Sequence, residues 1–404
     1  MAENTLISWA HCTFNPWMGC TKVSPACANC YAERDMDHRY GKVKWGPQGN
    51  RVLTSDANWK KPIKWNKEAG EKGVRYRVFC ASLADVFEDW KEEMLDHAQN
   101  AHYTRDDNPS IVVTSPQMSG CDSEGYHYTT MDDCRKRLFE LIDATPNLDW
   151  LLLTKRPENI RNFWYREKIG QHYGIRESGV GVFERKNVWL GTSVENQEYA
   201  EKRIPELLKC RELSPVLWLS CEPLLGQVRL TQLAEHHNHP SGDPVEGWTT
   251  FNNCLTGFRS HMGGGWTDKK FKIDWVIAGG ESGPDARPSH PDWFRSLRDQ
   301  CQEANVPFHF KQWGEYGPGS YYLHTGESCF HEFSSHINWV NKASTRIVKG
   351  DVCLDANGMH CKIGSDFENA TYPVTVISRM GVKKNGRLLD GVLHDAYPQV
   401  EVVS

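Results

Sequence analysis

Three cysteines near the start of the chain are spaced C-x6-C-x2-C: Cys20, Cys27 and Cys30, in a segment that begins at Gly19 and runs through Pro25 to Tyr31. No fourth Cys or His follows closely. A structural zinc site asks for four protein ligands and a closed shell. Three thiolates instead hold three irons of a four-iron cluster and leave the fourth iron open. A small molecule can bind and react at an open metal corner, so the segment points to an enzyme. Gly19 and Pro25 suit a tight wrap of the loop around such a centre.

Further polar residues stand in series along the chain. Each closes a short apolar run: Ser82 and Asp85; Thr154, Lys155 and Arg156; Ser193 and Glu195; Cys221 and Glu222; Glu281 and Ser282; Lys311 and Gln312. The runs are Arg77 to Ser82, Asp149 to Thr154, Asn187 to Ser193, Pro215 to Cys221, Asp274 to Gly280 and Val306 to Lys311. Runs apolar on both faces suit parallel strands buried under helices. Amphipathic stretches lie between them, at Asp132 to Asp143, Glu198 to Cys210 and Pro291 to Ala304. The alternation predicts an α/β fold, a partial (β/α) TIM-like barrel whose carboxyl strand ends build one pocket.

Three segments interrupt the pattern. Residues 102–128 are polar and irregular. Residues 234–272 are rich in Gly, His and Asn, including His236, His237, His239 and Gly263 to Gly265. Residues 317–372 carry Cys329, Cys353, Cys361, His331, His336 and His360. They read as insertions on a barrel spanning 1–316, the last as solvated loops or a small subdomain. Residues 373–404 are expected to pack back on the barrel. The Cys and His spacings of the last insertion match no zinc pattern.

Composition bounds the function. The formal net charge of −5 argues against a generic electrostatic grip on long duplex nucleic acid, though a local basic groove is compatible with it. Sixteen Trp residues suit stacking surfaces as well as core. No apolar run approaches the roughly 18 residues of a membrane span. The first residues lack the pattern of a signal peptide. Fourteen cysteines in such a chain are expected to be reduced and cytoplasmic, with Cys134, Cys210 and Cys301 as small buried hydrophobes.

The cysteine segment resembles that of radical S-adenosylmethionine (SAM) enzymes, whose usual spacing is C-x3-C-x2-C with an aromatic residue before the last Cys. Here the first gap is six and Asn29 holds the aromatic position. Cys27-Ala-Asn-Cys30-Tyr31 is similar to the end of the spore photoproduct lyase motif. A closer similarity is to a phage and bacterial family of radical SAM-like proteins named for a three-Cys motif. It is carried by Ile7 to Trp9, Phe14 to Trp17, Gly19 to Pro25, Cys30 to Glu33, Leu153 to Ile160, Gly191 to Asn196, Ser220 to Gly226, Gly279 to Gly283, Ala286 to Pro288, Lys311 to Gly314 and Gly386 to Gly391. It covers most of the chain outside the three insertions. Cys12 has no counterpart in that pattern.

The resemblance implies a [4Fe-4S] cluster on Cys20, Cys27 and Cys30, with SAM on the open iron. Ser82 and Asp85 are expected to grip the methionine amino group, and Ser193 and Glu195 the ribose hydroxyls. Lys155, Glu222 and Glu281 are candidates for catalysis, and Arg156, Arg287 and Lys311 for substrate binding. The implied partners are a nucleobase, nucleotide or nucleic-acid substrate, an electron-donor protein and, as in some family members, a partner protein encoded nearby. Two other readings stay open: a radical SAM enzyme for a small molecule or peptide, and a zinc-binding protein in which Cys12 or a distant His completes the site.

Overall fold

The structure is a computed structural model that describes residues 5, 7–98, 100, 103–105, 108–113, 126–164, 184–237, 248–261, 264–268, 271–319 and 329–399. Seven strands form its main sheet: β1 (Cys12–Thr13), β2 (Tyr76–Cys80), β3 (Leu148–Thr154), β4 (Val188–Ser193), β5 (Val216–Cys221), β6 (Trp275–Gly279) and β7 (Phe308–Gln312). Their order in the sheet is their order in the chain. The pairings of β1 with β2, β2 with β3, β3 with β4, β5 with β6 and β6 with β7 are all parallel. Sequential parallel order with right-handed crossovers places the connecting helices on one face. This is the arrangement of a partial (β/α) barrel rather than of a doubly wound sheet.

The chain divides into two compact units. The first comprises Met1–Thr192 with Lys209–Leu217, and the second Ser193–Leu208 with Trp218–Ser404. In the first, β3 buries both of its faces, which explains its continuous apolar run. Trp150 is fully buried and meets Phe14 edge to face, with ring centroids 5.6 Å apart. Helix α1 (Lys61–Lys72) ends where Gly73 turns left-handed at φ 65°. Helix α2 (Met131–Asp143) starts at a reciprocal cap, in which Thr130 N donates to Asp133 Oδ2 at 2.9 Å and Asp133 N donates to Thr130 Oγ1 at 3.3 Å. Residues Tyr103–Arg105, Asn108–Val113 and Tyr126–Tyr128 pair as a small antiparallel sheet.

In the second unit, helices α3 (Gln197–Leu208) and α4 (Pro291–Glu303) bury Ile204, Leu207, Phe294 and Leu297. Trp218 and Trp275 are fully buried on neighbouring strands, their rings 5.8 Å apart. Residues 394–396 lie along β7: Phe310 N donates to His394 O at 2.9 Å, and Trp275 Nε1 to Ala396 O at 2.9 Å.

Two stretches read from sequence as insertion loops are built structure. Leu233–His237, Trp248–Asn253, Phe258–His261 and Gly264–Thr267 form a four-stranded antiparallel meander. Tyr316–Gly317, His331–Phe333 and Val352–Leu354 all pair with Val374–Arg379. The latter sheet, helix α5 (His336–Arg346) and the short helix Gly364–Glu368 enclose a core of Phe333, Cys353, Cys361, Phe367, Val374 and Val376. Its central strand comes from beyond residue 372, so the preceding segment shows no apolar periodicity by itself. Cys353 and Cys361 are core thiols here. Parts of all three segments, His239 and Gly263 among them, lie outside the described residues. Among the described residues, no helix is long and apolar enough to cross a membrane.

Candidate functional site

The cysteine loop belongs to the first unit and is fastened to the carboxyl end of β2. Gly19 N donates to Leu83 O at 3.0 Å. Gly19 sits at φ 106°, and a Cβ there would lie 2.6 Å from Asn50 O, so only glycine fits. A short turn at Pro25–Cys27 follows, and Cys30 opens the helical turn Tyr31–Glu33. The Tyr31 hydroxyl donates to Ser82 O at 2.9 Å, a second tie to the end of β2.

The residues after β3 attend the sulfurs. Arg156 Nη1 lies 3.6 Å from Cys20 Sγ. Burial pushes the Cys20 thiol up to about 12; Glu88 and Asp85 add to the rise and Arg156 opposes it. Burial also raises the Cys30 thiol, against backbone bonds from Glu33 and Ala32 and the charge of Lys155, which pull it down. The Cys27 charge reaches Cys30 as well. Two consecutive cations at the end of β3 thus address two of the three sulfurs.

Arg156 is locked in place by a buried network. It donates to Asp85 Oδ2 at 2.9 Å, Thr21 O at 2.8 Å and Glu88 Oε1 at 3.3 Å. Asp85 also accepts from Thr154 Oγ1 at 2.7 Å, Phe87 N at 3.0 Å and Lys155 N at 3.1 Å. Burial raises the Asp85 carboxyl, but Arg156 and these bonds bring it below the usual carboxylate range. Glu88 takes a two-pronged bond from Arg51, at 2.7 and 2.8 Å, and another from Thr21 N at 2.9 Å. Arg51 in turn stacks on Trp90, its guanidinium carbon 3.9 Å from the ring centroid.

The carboxyl strand ends of the second unit carry a different chemistry. Glu195, fully buried, receives Arg203 on Oε2 at 2.8 Å. Glu222 Oε2 receives Lys311 Nζ at 3.3 Å. Among the described residues no donor reaches Glu195 Oε1, Ser193 Oγ or Glu222 Oε1, and all three atoms are buried. Buried polar atoms without partners are uncommon and each costs about 1–3 kcal/mol. Glu281 accepts from Arg287 through N at 2.7 Å, Nε at 2.8 Å and Nη2 at 2.7 Å.

The sequence placed the strand-end residues on the right elements and misread several of their tasks. Asp85 has four donors on its two oxygens and serves to hold Arg156, which leaves little room for the expected ligand role. Ser82 Oγ is engaged with Asn15, accepting from Nδ2 at 3.0 Å. Arg156 is not a free clamp for substrate, because its guanidinium is bound on several sides within the protein. Arg287 spends its fork on Glu281. Ser193, Glu195 and Glu222 do present atoms open to a ligand, and Lys311 stands beside Glu222. Sequence reasoning missed Arg51, Thr21 and Glu88. Glu88, three residues after Asp85 beyond the same strand, carried a signal; Arg51 carried none.

Among the described residues, no group of three or more His, Cys, Asp or Glu side chains is gathered as a metal site. The donor set nevertheless fits an iron–sulfur cluster in kind: three thiols on one loop, with a guanidinium and an ammonium close to the sulfurs to offset thiolate charge. Zinc would need a fourth ligand, and Cys12, paired with Val78 inside the sheet, is buried in β1.

Fold and site together define a mixed α/β protein of the partial-barrel kind, with a cysteine-bearing loop fastened at the strand ends of its first unit. The chain belongs to the family described as "Protein of unknown function (DUF5131)", whose profile matches residues 4–104 and 97–398. No curated protein and no solved structure matches it.

Proposed function

We propose that this chain is a radical SAM enzyme that uses a [4Fe-4S] cluster on Cys20, Cys27 and Cys30 to modify or repair a nucleobase, alone or in a nucleotide or nucleic acid. One observation carries the reading. The three-cysteine loop is tied to the end of a parallel strand, and consecutive cations from the next strand, Lys155 and Arg156, lie against its sulfurs. When bound, the cluster with SAM supplies a 5′-deoxyadenosyl radical that abstracts hydrogen from substrate.

The chain's own residues would do the following. The thiols of Cys20, Cys27 and Cys30 give up their protons on ligation, and the raised Cys20 thiol makes loading favour higher pH. Arg156, clamped by Asp85 and Glu88, holds Cys20 and offsets its charge. In the second unit, Ser193 Oγ and Glu195 Oε1 offer buried partners for hydroxyl donors, as the ribose of SAM would supply. The resemblance to a photolesion lyase motif supports the nucleobase substrate. A cytoplasmic setting, an electron-donor protein and a partner encoded nearby belong to the same reading.

The test is to incubate anaerobically reconstituted protein with SAM and a strong reductant. Formation of 5′-deoxyadenosine, abolished by Cys20→Ala, is the expected result. Fully loaded protein that forms none would refute the proposed chemistry.

A further inference from the structure

Three neighbouring strand ends in the second unit come together at one carboxylate. Glu222 follows β5, Gly279 ends β6 and Lys311 lies on β7. The Glu222 side chain passes over Gly279: a Cβ on that glycine would lie 2.8 Å from Glu222 Oε1 and 3.4 Å from Lys311 Cβ. Glu222 Oε2 receives Lys311 Nζ at 3.3 Å and faces Ser220 Oγ at 3.5 Å. Oε1 is buried and without a donor among the described residues. The missing side chain at 279 therefore keeps clear the ground next to an unsatisfied oxygen.

We infer that Glu222 and Lys311 form a reading head for the lactam edge of a nucleobase, Oε1 accepting the ring N–H and Nζ donating to the adjacent carbonyl. An ammonium has three donors, so Lys311 can keep its bond to Glu222 and still serve a ligand. Charge selects the ligand class. A cationic ligand would meet Lys311 and an anionic one Glu222, so the pair suits a neutral group with one donor and one acceptor. Geometry selects further. The acceptor and the donor stand side by side, and a lactam ring presents N–H and C=O on the same side. A trans peptide unit points them in opposite directions. The match is to uracil, thymine or guanine rather than to a peptide backbone. The inference rests on the nucleobase part of the reading above and not on its iron part.

Titration calorimetry of the wild-type full-length chain with uridine and guanosine tests it, each paired with its ring-N-methylated analogue, 3-methyluridine or 1-methylguanosine. N-methylacetamide serves as the trans-amide probe. At least one lactam nucleoside should bind, with the methylated analogue about tenfold weaker or more, because methylation leaves Oε1 unpaired. Lys311→Met should weaken the same nucleoside, and Gly279→Ala should do so by displacing Oε1. Comparison of ligands on the unaltered protein does not depend on the variants folding. Failure of the wild type to bind either nucleoside, equal binding of the methylated analogues, or equal binding of N-methylacetamide would overturn the inference. Iron content of the same preparation separates the two ideas. Iron-loaded protein that ignores lactam nucleosides defeats this inference alone. Iron-free protein that binds them defeats the radical reading and leaves this one standing.

Discussion

Replacing Arg156 with methionine keeps most of the side chain's length and removes its charge from between Asp85 and Glu88. Those ion pairs are almost dry: the side chains of Arg156, Asp85 and Glu88 are 9%, 6% and 4% exposed. Breaking a buried pair by removing one partner costs about 3–5 kcal/mol, because the remaining charge is left uncompensated. Here the loss falls mainly on Asp85, since Glu88 keeps Arg51 and Thr21 N. Asp85 in turn keeps Thr154, Phe87 and Lys155, so the lower end of that range, about 3 kcal/mol, is expected. Asp85→Asn combined with Arg156→Met should cost less than the sum of the single changes, with a coupling of about 1–3 kcal/mol. The exposed pair Lys67–Glu71, at 78% and 64%, is the control, with coupling below about 0.5 kcal/mol. Urea unfolding of the metal-free protein at neutral pH measures all of these. An Arg156→Met variant within about 0.5 kcal/mol of wild type, or strict additivity at Asp85 and Arg156, would refute the network as drawn.

Acid should narrow the gap between wild type and Arg156→Met. The Asp85 carboxyl is depressed in the folded protein, so its contribution is present above its unfolded value near 3.9 and fades as pH falls through the folded one. Urea midpoints compared at pH 7 and pH 4 should show a smaller difference at the lower pH, and a gap that widens would contradict the assignment. Gly280→Ala should be severe, because a Cβ there would lie 1.8 Å from the backbone oxygen of Trp313, and a melting temperature close to wild type would show that the approach is softer than described. Cys12→Ala should leave iron content unchanged, since Cys12 pairs with Val78 inside the sheet; a loss of iron measured by metal analysis would make it a ligand.

The six long strands of the main sheet were legible because each is apolar on both faces, and their ends moved by at most two residues in the structure. Strand β1 was not, because two residues, Cys12 and Thr13, show no period. Helix α1 escaped notice because only Pro62, Trp65 and Ala69 of its twelve residues are buried. The cysteines and the strand-end polar residues were visible as types, but their partners were not. Arg156 and Cys20 lie 136 positions apart in the chain, and nothing local marks the Asp85 oxygens as already filled. Whether a charged residue faces a ligand or a neighbour is decided by tertiary packing. Unpaired oxygens such as those of Glu195 and Glu222 therefore emerge only from the folded chain.

The most direct test of the central claim is iron and acid-labile sulfide analysis of protein purified without oxygen, with and without Cys20, Cys27 and Cys30. The account predicts brown protein with about four irons and about four sulfides per chain, lost when any of the three is replaced by alanine. Colourless protein holding about one zinc, or iron that survives replacement of all three cysteines, would contradict it.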